Sequence, residues 1–145
     1  MTAYDNAPML GFPRVATGIS HFLAEGPTWD PIRGRILWVD IMAGAVYQGR
    51  FAHGGGINIE AKVDFPDTAG AVAVSVAGEW LVAGTHRLYT RTVDGEIIAG
   101  PRLIDVGDRR FNDGKPDPAG RFVVGTKGPG GEQLIQVAPD GTVTV

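Results

Sequence analysis

An all-β fold of the β-propeller kind is predicted by three observations on the sequence. The 22 glycines and 10 prolines interrupt short runs rich in Val, Ile, Trp and Tyr. No window sustains an apolar stripe at helical period over roughly ten residues. A unit also recurs: "GRILWVDI", "GEWLVAGT" and "GRFVVGTK" each leave a turn glycine, and Arg35, Glu79 and Arg121 stand about 44 and about 42 residues apart, inside the range of propeller blades.

In chain order, "LAEGPTWD" (23 to 30) places Glu25 just before a Gly-Pro turn that leads into a buried strand. "RILWVDI" (35 to 41) and "AVYQGRF" (45 to 51) follow as strands rich in β-branched and aromatic residues. The next strands are "GAVAVSVA" (70 to 77), "EWLVAGT" (79 to 85) and "RLYTRTV" (87 to 93), closed by the turn "VDGE". The longest apolar stretch, "AGAVAVSVAG" (69 to 78), is about half of the roughly 20 residues a membrane span requires, so it reads as a buried strand. After "RRFNDGKPDPAGR" (109 to 121) come "RFVVGTK" (121 to 127) and "QLIQVA" (133 to 138), with "DPAG" and "PDGT" as turns. Several of these runs are apolar on both faces, as stacked sheets require. A sandwich would also stack sheets, but a tandem unit of short antiparallel strands is more simply a blade.

At roughly 40 to 45 residues per blade the 145 residues make about three blades, and closed propellers need at least four. Residues 1 to 145 are therefore expected to be one partial propeller that closes by association or belongs to something longer. "APDGTVTV" ends in the middle of a strand pattern, which fits that expectation and leaves an unpaired edge.

Composition narrows the function classes. A formal net charge of -3 with 13 scattered basic residues gives no footprint for nucleic acid. Without cysteine there is neither a thiolate nucleophile nor a disulfide, and any metal must be held by oxygen or imidazole. "MTAYDNAPML" lacks a basic region followed by an apolar one, so export is not indicated and a cytoplasmic location is expected, with no membrane partner.

Several motif matches fail on their own chemistry. "HGGG" (53 to 56) resembles an esterase oxyanion loop but lacks a Gly-x-Ser-x-Gly elbow. His21, His53 and His86 are too widely spaced for a local ligand pair and read as surface or turn residues. "DGKPDPAG" has Pro118 where a calcium loop of the EF-hand type needs glycine, and "GPGGE" lacks the context of a phosphate loop. Two signals remain. Glu25 can point a carboxylate into a central cavity, or be a solvated loop acid. If residues 109 to 113 are extended, Arg110 and Asn112 project to one face while Phe111 anchors the other beside Arg109. A guanidinium next to a carboxamide suits a polyhydroxylated or carboxylate-bearing small molecule. The alternative is an Asx-turn at Asn112 and Asp113, with Arg110 paired to a surface acid.

"EGPTWDPIRGRILWVDI" followed by "RFNDGKPDPAGRFVVGT" resembles the N-terminal half of the SMP-30/gluconolactonase/luciferin-regenerating-enzyme family, to which regucalcin belongs. The resemblance implies a six-bladed propeller with a divalent metal (Ca, Mg, Mn or Zn) in its channel and hydrolysis of sugar lactones. It implies Glu25 as a metal ligand and Arg110 and Asn112 as substrate contacts. The family's other ligands, an asparagine and the aspartate that also serves as general base, belong to later blades. The "PDG" at Pro139 to Gly141 comes too early for that aspartate, so no catalytic residue is assigned. The resemblance thus leads to a metal-dependent lactonase incomplete in this chain, with a non-catalytic divalent-metal-binding module or an inactive fragment as alternatives. Exposed blade faces add self-association as an expected partner mode.

Overall fold

A computed structural model describes residues 14 to 105 and 107 to 145. "MTAYDNAPML", whose composition underlies the expected location, lies outside the described residues. The strands run β1 (Ala24–Asp30), β2 (Arg35–Asp40), β3 (Ala45–Phe51), β4 (Ile57–Asp64), β5 (Ala71–Val74), β6 (Trp80–Ala83), β7 (Arg87–Arg91), β8 (Ile97–Arg102), β9 (Arg110–Pro116), β10 (Phe122–Lys127), β11 (Leu134–Val137) and β12 (Val143–Thr144). They form three four-stranded antiparallel sheets, each made only of consecutive strands. The predicted all-β fold of about three blades is thus the observed one. The recurring unit of the sequence corresponds to the second and third strands of each blade, β2–β3, β6–β7 and β10–β11.

The first turn of each blade is fastened by a short side chain that accepts backbone N–H groups. Asp30 Oδ1 accepts from Ile32 and Arg33, Ser75 Oγ from Gly78 and Glu79, and Asp117 Oδ1 from Ala119 and Arg121. Side chains of this kind substitute for missing backbone partners in tight turns. Asp30 and Asp117 add ion pairs to Arg33 and Arg121. Arg33 Nη2 then donates to Val76 O at 2.8 Å, tying the first blade to the second.

Strand alternation explains the core. On one face of the first sheet Leu37, Val39 and Val46 are fully buried against Val72, Trp80, Val82 and Tyr89 of the second. The second sheet's other face, with Ala71, Ala73 and Ala83, receives Phe111, Phe122, Val124 and Ile135 of the third. Small residues on one side and large ones on the other let the layers interdigitate. Gly70 allows a close approach of the second and third blades: a Cβ there would lie 2.5 Å from Phe111 O. The innermost strands β1, β5 and β9 consequently stand side by side.

Candidate functional site

β1 and β9 are each broken by a one-residue bulge. In β1 the register shifts between Glu25 and Thr28, and Gly26 has φ 58°. In β9 the shift falls between Asn112 and Gly114, and Asp113 has φ 53°, the one positive φ of a non-glycine residue among the described residues. Left-handed backbone is cheap for glycine and tolerated by Asp, and bulges re-aim the neighbouring side chains. Glu25 and Asn112 therefore occupy equivalent places, each just before the left-handed residue. This corrects the sequence reading of Glu25 as preceding a turn: the Gly-Pro pair lies inside the strand.

Phe111 is fully buried and anchors β9, while Arg110 and Asn112 are half-buried on the opposite side. The guanidinium and the carboxamide bond to each other: Arg110 Nη1 donates to Asn112 Oδ1 at 3.0 Å and to Phe111 O at 2.9 Å. Asn112 thus supports Arg110 instead of making an Asx-turn. Asp113 accepts from the N–H of Gly114 at 2.8 Å, and its own N–H donates to Gly70 O at 3.1 Å. Arg109 is buried and serves the fold, donating to Gly130 O at 3.1 Å and to Gln133 Oε1 at 3.4 Å.

Glu25 is exposed and lines a cavity of about 410 Å³ with His21, Pro27, Trp38 and Ile57. His21 is half-buried rather than a simple surface residue. Its Nε2 accepts from Trp38 Nε1 at 3.0 Å, and its ring packs edge-on against Tyr47 with centroids 4.8 Å apart. No local pattern around His21 announces these partners, because β2 and β3 supply them. Asp40 fixes the entry to β1 by accepting from Phe22 N at 2.9 Å and Leu23 N at 3.0 Å. Burial pushes the Asp40 carboxyl upward, but N–H groups of Leu23, Phe22 and Ala43, with nearby His21, outweigh it and hold the group below its ordinary range.

Glu25 and Asn112 line different cavities, although the inner strands β1 and β9 that carry them are in contact. Glu25 lines the cavity beside Trp38, from a strand position paired with Val39. Asn112 lines a separate cavity of about 340 Å³ with Lys115, Val123 and Leu134, on the free side of the third sheet. Among the described residues no three His, Asp or Glu side chains converge as a metal site. Glu25 alone offers one carboxylate where a hard divalent ion takes at least six oxygen ligands. "PDG" at 139 to 141 is the turn between β11 and β12, in which Asp140 Oδ1 accepts from Thr142 N.

Residues 23–145 match the model of the SMP-30/gluconolactonase/LRE-like region. The chain belongs to this family. The pentonolactonase XacC of Haloferax volcanii is 36% identical over 124 residues, covering 84% of this chain and 41% of that protein. Regucalcin of Danio rerio is 33% identical over 108 residues, which are 72% of this chain and 34% of that one. Among solved structures, regucalcin of Agrobacterium tumefaciens, a calcium-binding protein, superposes with a TM-score of 0.75 at 28% identity, over 90% of this chain and 45% of its own. The chain thus spans less than half the length of these members of the SMP-30/gluconolactonase/LRE family, and its three sheets correspond to three blades of a six-bladed propeller.

Proposed function

We propose that this chain is the lactone-binding half of a sugar-lactone hydrolase. Arg110 and Asn112 hold the oxygens of the substrate, and Glu25 contributes one carboxylate toward a divalent cation. The hydrogen-bonded Arg110–Asn112 pair carries the reading. With Asn112 Oδ1 already accepting, the pair presents the remaining guanidinium and carboxamide N–H groups, a surface of donors matched to carbonyl and hydroxyl oxygens. Relatives named as a pentonolactonase and a 6-deoxy-6-sulfogluconolactonase support the substrate class. A bound cation would polarise the lactone carbonyl and acidify a water molecule. The described residues do not chelate one by themselves, so these 145 residues are assigned the binding part of the task. Holding the sugar in place lowers the barrier by orientation, and a general base completes the chemistry.

The test is gluconolactone binding and hydrolysis by the purified chain, with calcium, magnesium, manganese or zinc and with chelator. Arg110→Ala should weaken lactone binding about 10-fold or more, the effect of losing a hydrogen bond to a charged group. Undiminished binding in that variant would overturn the assignment. A second reading, divalent-cation binding without turnover, is favoured by the likeness to the calcium-binding regucalcin. Calcium binding that is lost in Glu25→Ala, in a chain that holds no lactone, would decide for it.

A further inference from the structure

We propose that Asp113 sets specificity for a hydroxylated lactone ring, its carboxylate accepting hydrogen bonds from substrate hydroxyl groups beside the donors of Arg110 and Asn112. The assignment rests on the lactone-binding reading and adds to it the acceptor that the pair lacks. Strict alternation after Asn112 would send Asp113 to the buried side of β9, with Phe111. The bulge prevents this. Asp113 is the extra residue between Asn112, paired with Gly125, and Gly114, paired with Val124. Gly114 takes the inward place instead: a Cβ there would lie 2.9 Å from the Phe122 ring and 3.0 Å from Val124. Asp113 is left exposed and lines the same cavity of about 340 Å³ as Asn112.

The bulge by itself does not call for a carboxylate. Left-handed backbone favours glycine, and the equivalent bulge of β1 uses Gly26. Asp113 adopts the same φ region without that freedom, and backbone of this kind gathers at ligand sites. Its Oδ1 accepts from Gly114 N at 2.8 Å, a bond that the carboxamide of an asparagine makes equally well. Its N–H donates to Gly70 O at 3.1 Å, which ties the backbone to the second blade whatever the side chain is. What the carboxylate alone supplies is a charged acceptor with capacity beyond the Gly114 bond. A sugar lactone needs that capacity. Its carbonyl and ring oxygens only accept, and Arg110 and Asn112 offer them N–H groups, whereas each hydroxyl also has a hydrogen to give. The pair's own acceptor, Asn112 Oδ1, already receives Arg110 Nη1 at 3.0 Å. A site that bonds a substrate hydroxyl discriminates against the ring that lacks it, because the site's polar group is then left unpaired.

Calorimetry tests the assignment, with gluconolactone and analogues each lacking one hydroxyl titrated into the wild type, Asp113→Asn, Asp113→Gly and Arg110→Ala. Asparagine and glycine both accept left-handed backbone, so the two Asp113 variants should keep the β signal in circular dichroism. The amide of Asp113→Asn is checked by mass. Both should bind gluconolactone about 10-fold more weakly, the effect of losing a hydrogen bond to a charged group. In the wild type one deoxy analogue should lose about the same factor. In Asp113→Gly that analogue and gluconolactone should bind alike, because the partner of the missing hydroxyl is already gone. A role confined to the backbone would weaken every ligand by one common factor, and that result overturns the proposal. Undiminished binding in both Asp113 variants, with binding weakened in Arg110→Ala, also overturns it and leaves the lactone-binding reading standing. Full binding in Arg110→Ala, or none in the wild type, overturns that reading and the proposal with it.

Discussion

The inner strands of the first and third blades share a bulge at the same place but are held by opposite means. β9 is anchored by Phe111, fully buried between the second and third sheets. β1 is positioned by a charge: Asp40, 2% exposed, grips the backbone N–H groups of Phe22 and Leu23 just upstream. The turning residue differs as well, Gly26 in β1 and Asp113 in β9. One geometry can thus rest on packing or on electrostatics, and the two strands should fail under different stresses.

The largest effect is expected at the apolar anchor. Phe111→Ala should cost about 3 to 5 kcal/mol, the usual penalty for emptying a packed aromatic site, measured by denaturant unfolding. A cost below about 1 kcal/mol would mean that β9 is held elsewhere. Next comes Asp40→Asn, expected to cost about 2 kcal/mol at neutral pH through two weakened charge-assisted bonds. Its pH dependence separates the two strands. The folded Asp40 carboxyl lies below its ordinary value of 3.8, so its contribution is present above that value and fades as pH falls through the lower, folded one. Wild-type stability should therefore decline more steeply in acid than that of Asp40→Asn, and parallel curves would remove Asp40 from the account.

The turning residues sharpen the comparison further. Gly26→Ala should cost about 1 kcal/mol, because Ala resists positive φ. Asp113→Gly should change stability by less than about 1 kcal/mol, since glycine accepts the same backbone. If that variant nevertheless binds gluconolactone more weakly, the Asp113 carboxylate serves the site rather than the bulge. A clear loss of stability would reverse that assignment.

At neutral pH the smallest effect is expected at Tyr89, whose hydroxyl donates to Asp67 at 2.9 Å behind the first inter-blade junction. Burial, then the bond to Asp67 and its negative charge, push the phenol from 10.0 up to about 12. The protonated form is the favoured one, so this contribution is complete below pH 10.0 and is lost as pH rises through about 12. Tyr89→Phe should flatten the alkaline limb of the stability curve; an unchanged limb would exclude this group.

What the sequence made legible follows the same physical division. The second and third strands of each blade were readable because they carry the buried apolar residues of the core, in β2 on both faces at Leu37, Trp38 and Val39. β4 and β8 escaped notice. They are outer edge strands whose burial is partial, and β8 contains Gly100 and Pro101, residues an edge tolerates and a central strand does not. β1 was mistaken for a turn and a strand because a bulge uses the same residues as a turn. The Arg110–Asn112 partnership was visible, since alternation along one strand is a local property. That Glu25 and Asn112 line different cavities was not, because it depends on how whole sheets are arrayed.

Each sheet being woven from four consecutive strands has a further consequence, for folding. Every strand pairing closes a short loop, so a blade can form as soon as its own forty or so residues are available, without waiting for distant sequence. The order of synthesis is then also an order of assembly, with each finished blade offering its apolar face as the template for the next. Emergence from the ribosome thus sets up a zipper whose teeth are whole sheets, and a substitution at a blade junction should halt its advance at that boundary rather than scramble the strands already paired.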